Sequence, residues 1–293
     1  MANEITWANL QGEYSYEYRL LADSIIDALY ESLDMRQFAI TKSITSFASN
    51  AERFPATPVL SASALTEGTD LTSNTAFAPT QVTLTVGEVG LKLTPTDLQM
   101  MGGIVGAAHY GQEAGKAVAE KRTTDLVALG PGFSNSVGTT NVDMTEAFYL
   151  AAISALRGRK VPTPYVGVVH TTSFYAELIG DIGSDYSALG NTGLGVRAES
   201  NDLPGSGDGG MIGELFGTTL LVTPLVAEDG NSDKENFAYA PRRAIGFVEK
   251  WAIRPEAERD ASLRGTEVVV TSAYATGETD NDSGERILSD GVA

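Results

Sequence analysis

Residues 65–98, LTEGTDLTSNTAFAPTQVTLTVGEVGLKLTPTDL, form two extended runs around a turn-rich middle and lead directly into a helix. In the second run Val82, Leu84 and Val86 fall on one face and Thr83 and Thr85 on the other. That is the period-two pattern of a strand with two different faces. A two-stranded hairpin cannot bury a core between its own strands. It must lie on something, and the adjoining sequence offers no evident partner, so another protein surface is the expected one. The segment points to a building block of an assembly rather than to a catalyst.

The helix that follows has its own start and stop. Thr94 is placed to cap it, Pro95 fits the first helical position and Asp97 sits near the positive helix end. Helical spacing runs on through Leu98, Met101, Val105, Ala108, Val118 and Leu126 until Leu129-Gly-Pro-Gly132 ends it. Unbroken from 95 to 129, it would span roughly 52 Å at about 1.5 Å per residue. A globule of this chain length is only about 50 Å across, so an elongated or flat subunit is expected. Gly102, Gly103, Gly106, Gly111 and Gly115 each cost up to about 1 kcal/mol inside a helix and mark a kink or a close backbone approach.

Before the hairpin, residues 18–33 carry Tyr18, Leu21, Ile25, Leu29 and Leu33 on one stripe, with Asp23, Asp27 and Glu31 elsewhere. This is an amphipathic helix on an arm, and it must dock on its own domain or on a neighbour. The arm ends in Phe54-Pro-Ala-Thr-Pro58, which cannot be helical. Beyond the long helix, Asp143 with Glu146 makes a capping box for a helix over 144–157. YVGVVH (165–170) reads as a buried strand, and Thr171 or Thr172 caps a short helix through Ile179. Residues 180–213 are glycine-rich without periodicity, too long for an ordinary loop. Strands are expected over 218–226, 244–247, 251–254 and 267–271, followed by a polar tail. Helices and strands in no regular βαβ order give an α+β fold.

Cysteine chemistry and an ordinary zinc site are excluded by residue type. The chain of 293 residues has no cysteine and only two histidines, His109 and His170. Disulfides, thiolate metal sites and an ordinary zinc site are therefore out of reach. GLGVRA (193–198) and GSGDGG (205–210) match dinucleotide-type glycine patterns, but neither follows a strand as phosphate binding requires. Asp280-Asn-Asp282-Ser-Gly284 resembles part of a calcium loop, yet its twelfth position is Gly291, where a carboxylate is needed. A solvated acidic tail is the expected reading. No cofactor and no metal are expected. The net charge of −18 repels phosphate backbones and favours solubility. No uninterrupted apolar run of about eighteen residues exists, so no membrane span is expected.

The order of parts resembles the major capsid protein of tailed bacteriophages, the Hong Kong 97 fold. The match is carried by LTEGTDL (65–71), VTLTV (82–86), Gly90 and Thr96-Asp-Leu98. At the C-terminal end AIGF (244–247), Glu258-Arg-Asp260 and TEVVVTSAY (266–274) carry it. The resemblance implies an N-terminal arm over 1–57 and an extended hairpin loop over 58–94 that reaches onto a neighbouring subunit. It further implies a peripheral domain with a spine helix from 95–140 and 229–293, and an axial domain over 141–228. Function would then be self-assembly, as hexamers and pentamers, into an icosahedral virion shell built in the host cytoplasm. The shell would enclose double-stranded DNA without sequence-specific binding, with scaffolding, portal and cement proteins as further partners. Leu21, Ile25, Leu29, Thr69, Leu71, Phe77, Val82, Leu84 and Val86 are the candidate subunit-interface residues. A net negative charge suits a container that must not hold its genome tightly.

Two other functions fit the residues. The same fold serves encapsulin nanocompartments, which hold enzymes instead of genomes. An acidic α/β hydrolase could use Ser173, His170 and a carboxylate. The arm is short and holds one good helix, so the virion subunit is expected to begin at or near Met1.

Overall fold

The computed structural model describes residues 33–45, 49–56, 60, 62, 64–68, 78–98, 107–179, 181 and 211–290, with backbone alone at 107–111 and 211–214. In chain order the first strands are β1 Ile40–Ser43, β2 Ala51–Ala56, β3 Thr80–Thr85 and β4 Gly87–Leu93, then helix α1 Ala107–Val127 and β5 Ser136–Gly138. Helix α2 Glu146–Gly158, β6 Tyr165–His170 and a π-helical segment Ser173–Leu178 follow. The chain closes with β7 Met211–Leu215, β8 Thr218–Thr223, β9 Lys234–Tyr239, β10 Ile245–Asp260, β11 Gly265–Glu278 and β12 Gly284–Ser289. The architecture is mixed α+β, as expected.

One sheet has six strands in the order β5-β12-β9-β6-β8-β7. Its centre is β6, buried at every residue. An apolar run without alternation needs cover on both faces, and β6 has it. Tyr165 and Val169 turn to the α2 side, where Tyr149, Ala152, Ile153 and Leu156 complete one core. Val166 and Val168 turn to the other side, onto Leu126, Val127, Phe133 and Met35. Gly167 leaves room for the Tyr149 ring, whose buried hydroxyl lies 2.6 Å from the Thr218 hydroxyl. Burial pushes that phenol up to about 12. Between β7 and β8, Phe216 (φ 51°) and Gly217 (φ 74°) are both left-handed, the backbone of a tight primed hairpin turn.

The second sheet is β1-β10-β11-β4. Strands β10 and β11 pair antiparallel from Ile245 opposite Glu278 out to Asp260 opposite Gly265, with irregular register near Trp251. Helix α1 packs Ala114 and Val118 on Val268 and Val270. A two-stranded ribbon, β2 with β3, forms the third sheet.

Several expectations are corrected. Strand 80–85 pairs with 51–56; of the expected partner run 65–71, residues 65–68 carry no strand and 69–71 lie outside the described residues. The Phe54-Pro-Ala stretch that cannot be helical is itself the missing partner strand. At the start of the spine, Thr96 bridges Gly265 as extended chain, so Thr94 is not its cap; residues 99–106, with three of the five glycines, lie outside the described residues. On α2 the cap is Thr145, whose hydroxyl accepts from the Phe148 amide, because Met144 turns into the core. Residues 245–247 and 251–254 belong to the single strand β10, in which Glu249 is held by Arg122. The expected polar tail is β12, whose charges are matched by other parts of the chain: Glu285 with Arg159 at the end of α2 at 2.6 Å and Arg286 with Glu235 on β9 at 3.1 Å. The six-stranded sheet thus draws β5, β9 and β12 from outside residues 141–228.

Candidate functional site: surfaces for assembly

Leu21, Ile25, Leu29, Thr69, Leu71 and Phe77 lie outside the described residues, as do residues 182–210. Val82, Leu84 and Val86 lie on one face of the ribbon, as their spacing predicts, but that face is turned to the chain's own sheet. Leu84 is buried with Phe54, Ile44 and Val248, and Val82 and Val86 pack against the same cluster. The seat is made by two glycines paired across β10 and β11, Gly246 and Gly277. A side chain at Gly277 would collide with Leu84, and one at Gly246 would crowd Phe54 at 3.3 Å. Leu84 therefore serves the subunit's own core rather than an open surface. The glycines in AIGF and ATGE were the sequence feature that could have located this seat.

Sequence reasoning missed the outer half of the long strand pair. Ile245 to Val248 are buried, yet most residues of β10 beyond Trp251 are exposed. Pro255 lies where β10 has lost β1, which pairs only with Gly246–Glu249, and a proline is tolerated at such a free edge. The outer turn is tied to the start of the spine. Asp97 receives both Arg259 guanidinium nitrogens at 2.7 and 2.6 Å, and the Asp97 and Thr266 amides bond to Arg264 and Pro95 carbonyls at 2.8 and 3.0 Å. Leu98 is 63% exposed at this junction. Strand β4 forms the sheet's outer edge, with most of its residues exposed. Such an edge offers backbone donors and acceptors to another strand.

Inside, the spine is locked to the sheet. Arg122 is buried and ion-paired to Glu249 at 2.8 Å, and its guanidinium lies 5.5 Å from the Tyr274 ring centre. The Tyr274 hydroxyl donates to Asp125 at 2.7 Å. Burial lowers the pKa of Arg122, opposed by the charge of Glu249.

The hydrolase arrangement is not assembled. A nucleophilic serine needs its oxygen on a base. Ser173 is buried and bonded to Ser289 at 3.1 Å and to Asn236 at 3.5 Å. His170 Nδ1 accepts the Thr172 amide at 3.1 Å. Burial, then the nearby Lys234 charge, lower the His170 pKa. Both residues fasten β6 to its surroundings. The calcium-like loop is occupied by protein: Asp280 accepts from Arg243 at 2.8 Å and from Ser283 at 2.7 Å. Among the described residues no group of three carboxylate or imidazole side chains could hold a metal, and no helix is long and apolar enough to cross a membrane.

No protein-family model matches the chain, and no curated protein sequence does. Solved structures do. A chain of Mycobacterium phage Che8 matches over 90% of this chain and 94% of its own length, with a TM-score of 0.69 at 17% identity. The mature capsid of bacteriophage PhiM1 matches over 92% and 91%, with a TM-score of 0.62 at 14% identity. The acidic stable capsid of Helicobacter pylori bacteriophage KHP30 matches over 100% of both chains, with a TM-score of 0.69 at 11% identity. The fold is the one these phage capsids use, and it is the fold that the sequence resemblance implies.

Proposed function

We propose that this chain is the major capsid protein of a tailed phage. Copies associate as hexamers and pentamers into an icosahedral shell that encloses double-stranded DNA in the virion. The observation that carries the reading is the likeness to capsid structures over 90–100% of this chain and 91–100% of theirs. A fold shared in part could be a borrowed module; here the likeness runs over nearly all of this chain and of each capsid chain. The exposed outer strand pair and the free edge of β4 support the same reading, because both are surfaces that a neighbour would complete.

In this reading residues 95–140 and 229–293 form the peripheral domain and 141–228 the axial domain. Residues 1–57 are the arm and 58–94 the loop; β1 to β4 anchor them on this chain's own sheets, and the parts beyond those strands reach a neighbouring subunit. Leu21, Ile25, Leu29, Thr69, Leu71 and Phe77 make contacts between subunits, and Val82, Leu84 and Val86 hold the ribbon that presents the loop. Scaffolding and portal proteins guide assembly in the host cytoplasm, and a cement protein reinforces the shell where one is used. Electron microscopy of the purified protein, alone and with the scaffolding protein, tests the proposal. Closed shells are expected; a monomer that no partner converts into shells would sink it.

A further inference from the structure

A cleft of about 880 Å³ opens beside the base of the ribbon, between β1, β2, the turn after α2 and the turns at 241–243 and 279–283. Its lining carries Lys42, Arg159, Lys160, Arg242 and Arg243 against only Asp280 and Asp282. In a chain of net charge −18 this reverses the sign of the surface. Three of the five cations are engaged: Lys42 with Glu52 at 2.9 Å, Arg159 with Glu285 at 2.6 Å and Arg243 with Asp280 at 2.8 Å. Lys160 and Arg242 are exposed, and neither side chain has a partner among the described residues. Both sit in left-handed backbone, at φ 62° and 56°. At Lys160 this conformation closes the C-terminal end of α2, with the Val161 amide on the Leu156 carbonyl at 3.1 Å. The lining also includes the apolar side chains of Ile40, Phe54 and Val161, with Lys42 over the Phe54 ring.

The same chain carries the complement. Between Arg53 and Lys92 it has no lysine or arginine, only Glu67, Asp70 and Glu88 as charges. Residues 64–68 are exposed around a turn at Gly68 (φ 79°). Leu65 there is 68% exposed, and Glu67 has no partner among the described residues. Subunits of strong like charge repel, so a productive approach has to bring opposite patches together. We infer that the cleft receives the 64–68 turn of a second copy, with Glu67 between Lys160 and Arg242 and Leu65 on the apolar side chains of the lining. The inference rests on the shell reading and names the surface that receives the loop. Donor and receiver are different patches of one chain, so the contact is head-to-tail, the kind that generates rings where its rotation closes.

The test is a charge exchange. Lys160→Asp with Arg242→Asp reverses the cleft with a residue that tolerates left-handed backbone, and Glu67→Lys reverses the turn. Each reversal should cut shell yield by about tenfold or more, and combining them should restore most of it. Wild-type yield from either reversal, or no rescue in the combination, overturns the inference. Should the cleft variant not fold, a second pair decides. The chain has no cysteine, so Glu67→Cys with Lys160→Cys, oxidised in shells, should give a ladder of linked subunits that neither single variant gives. Wild-type shells whose double-cysteine counterparts stay monomeric on the gel refute the contact alone, while the absence of wild-type shells refutes the shell reading. Cleft-reversed shells that form normally but package less nucleic acid would assign the cleft to phosphate and also overturn the inference.

Discussion

Strand β6 and the outer half of β10 are both β-strand, yet they are stabilised differently. Every residue of β6 is buried between two cores of its own chain. The outer half of β10 has β11 on one side, α1 and the spine start beneath part of it, and solvent over the rest. Apolar burial stabilises at about 25 cal/mol per Å², and nearly all of that gain belongs to the six-stranded sheet and the inner end of the four-stranded one. The inner region is a fold in its own right. The outer region keeps its shape through backbone pairing, the small apolar cluster of Ala114, Val118, Val268 and Val270 under α1 and a few ion pairs, and in the proposed function a neighbouring subunit completes it.

The contrast is sharpest at Phe237. It is buried between Phe133 and Tyr239, at ring-centre distances of 6.2 and 5.7 Å, and no side chain fits at Gly130 against it. Phe237→Ala should cost about 3–5 kcal/mol, read as a lowered denaturant midpoint of the free subunit. A loss below 1 kcal/mol would break the distinction between the two regions. At the ribbon, Leu84→Ala should cost about 2 kcal/mol, the low end for a buried leucine because its cluster is small. If the free subunit is unaffected and only assembly suffers, Leu84 belongs to the outer region instead.

A smaller effect concerns Glu177, which accepts the Met144 amide at 2.5 Å. Burial raises its carboxyl above the ordinary 4.5, the Met144 hydrogen bond opposes this, and the charges of Asp143 and Asp290 add to the rise. A carboxyl raised in the folded state contributes stability below its unfolded pKa, which is lost as pH rises through the folded value. Glu177→Gln keeps an acceptor for Met144 and removes the charge. It should melt a few degrees higher at pH 7, since 1 kcal/mol moves the midpoint of a domain this size by about 2–4 °C. Below pH 4.5 the advantage should vanish; an equal gain at both pH values would contradict the assignment.

The smallest effect is an expected absence. The loop has no lysine between Phe54 and Leu91, and Lys92 pairs with Glu267 at 2.6 Å. A covalent isopeptide cross-link from the loop therefore lacks its amine. Boiled particles should run as one band near the calculated 30.9 kDa. A ladder surviving denaturation would show another reactive pair.

How much was legible in the sequence follows from which residues carry local information. The buried run of β6, the stop at Leu129-Gly-Pro-Gly132 and the alternation at Val82, Leu84 and Val86 are local patterns, and each lies where it was expected. What the alternating face rests on was not legible, because the seat is Gly246 opposite Gly277, more than 150 residues away. The continuity of β10 was hidden by Glu249 and Lys250, which look like a break until Arg122 is brought beside Glu249. Strand β12 looked like a tail because the partners of Glu285 and Arg286 are Arg159 and Glu235. Long-range charge pairing makes a polar strand fit a sheet, and periodicity does not record it. The cleft stayed invisible for the same reason, since its five cations come from three separate stretches of chain.

Hydrogen exchange, compared between free subunits and assembled shells, tests the central claim most directly. Amides of β6 and β9 should be strongly protected in both states. Amides of the outer half of β10 that face away from β11, of the outer edge of β4 and of residues 64–68 should exchange freely in the subunit and become protected in the shell. Equal protection of the two regions in both states would contradict the division of this subunit into a self-sufficient part and a part completed by its neighbours.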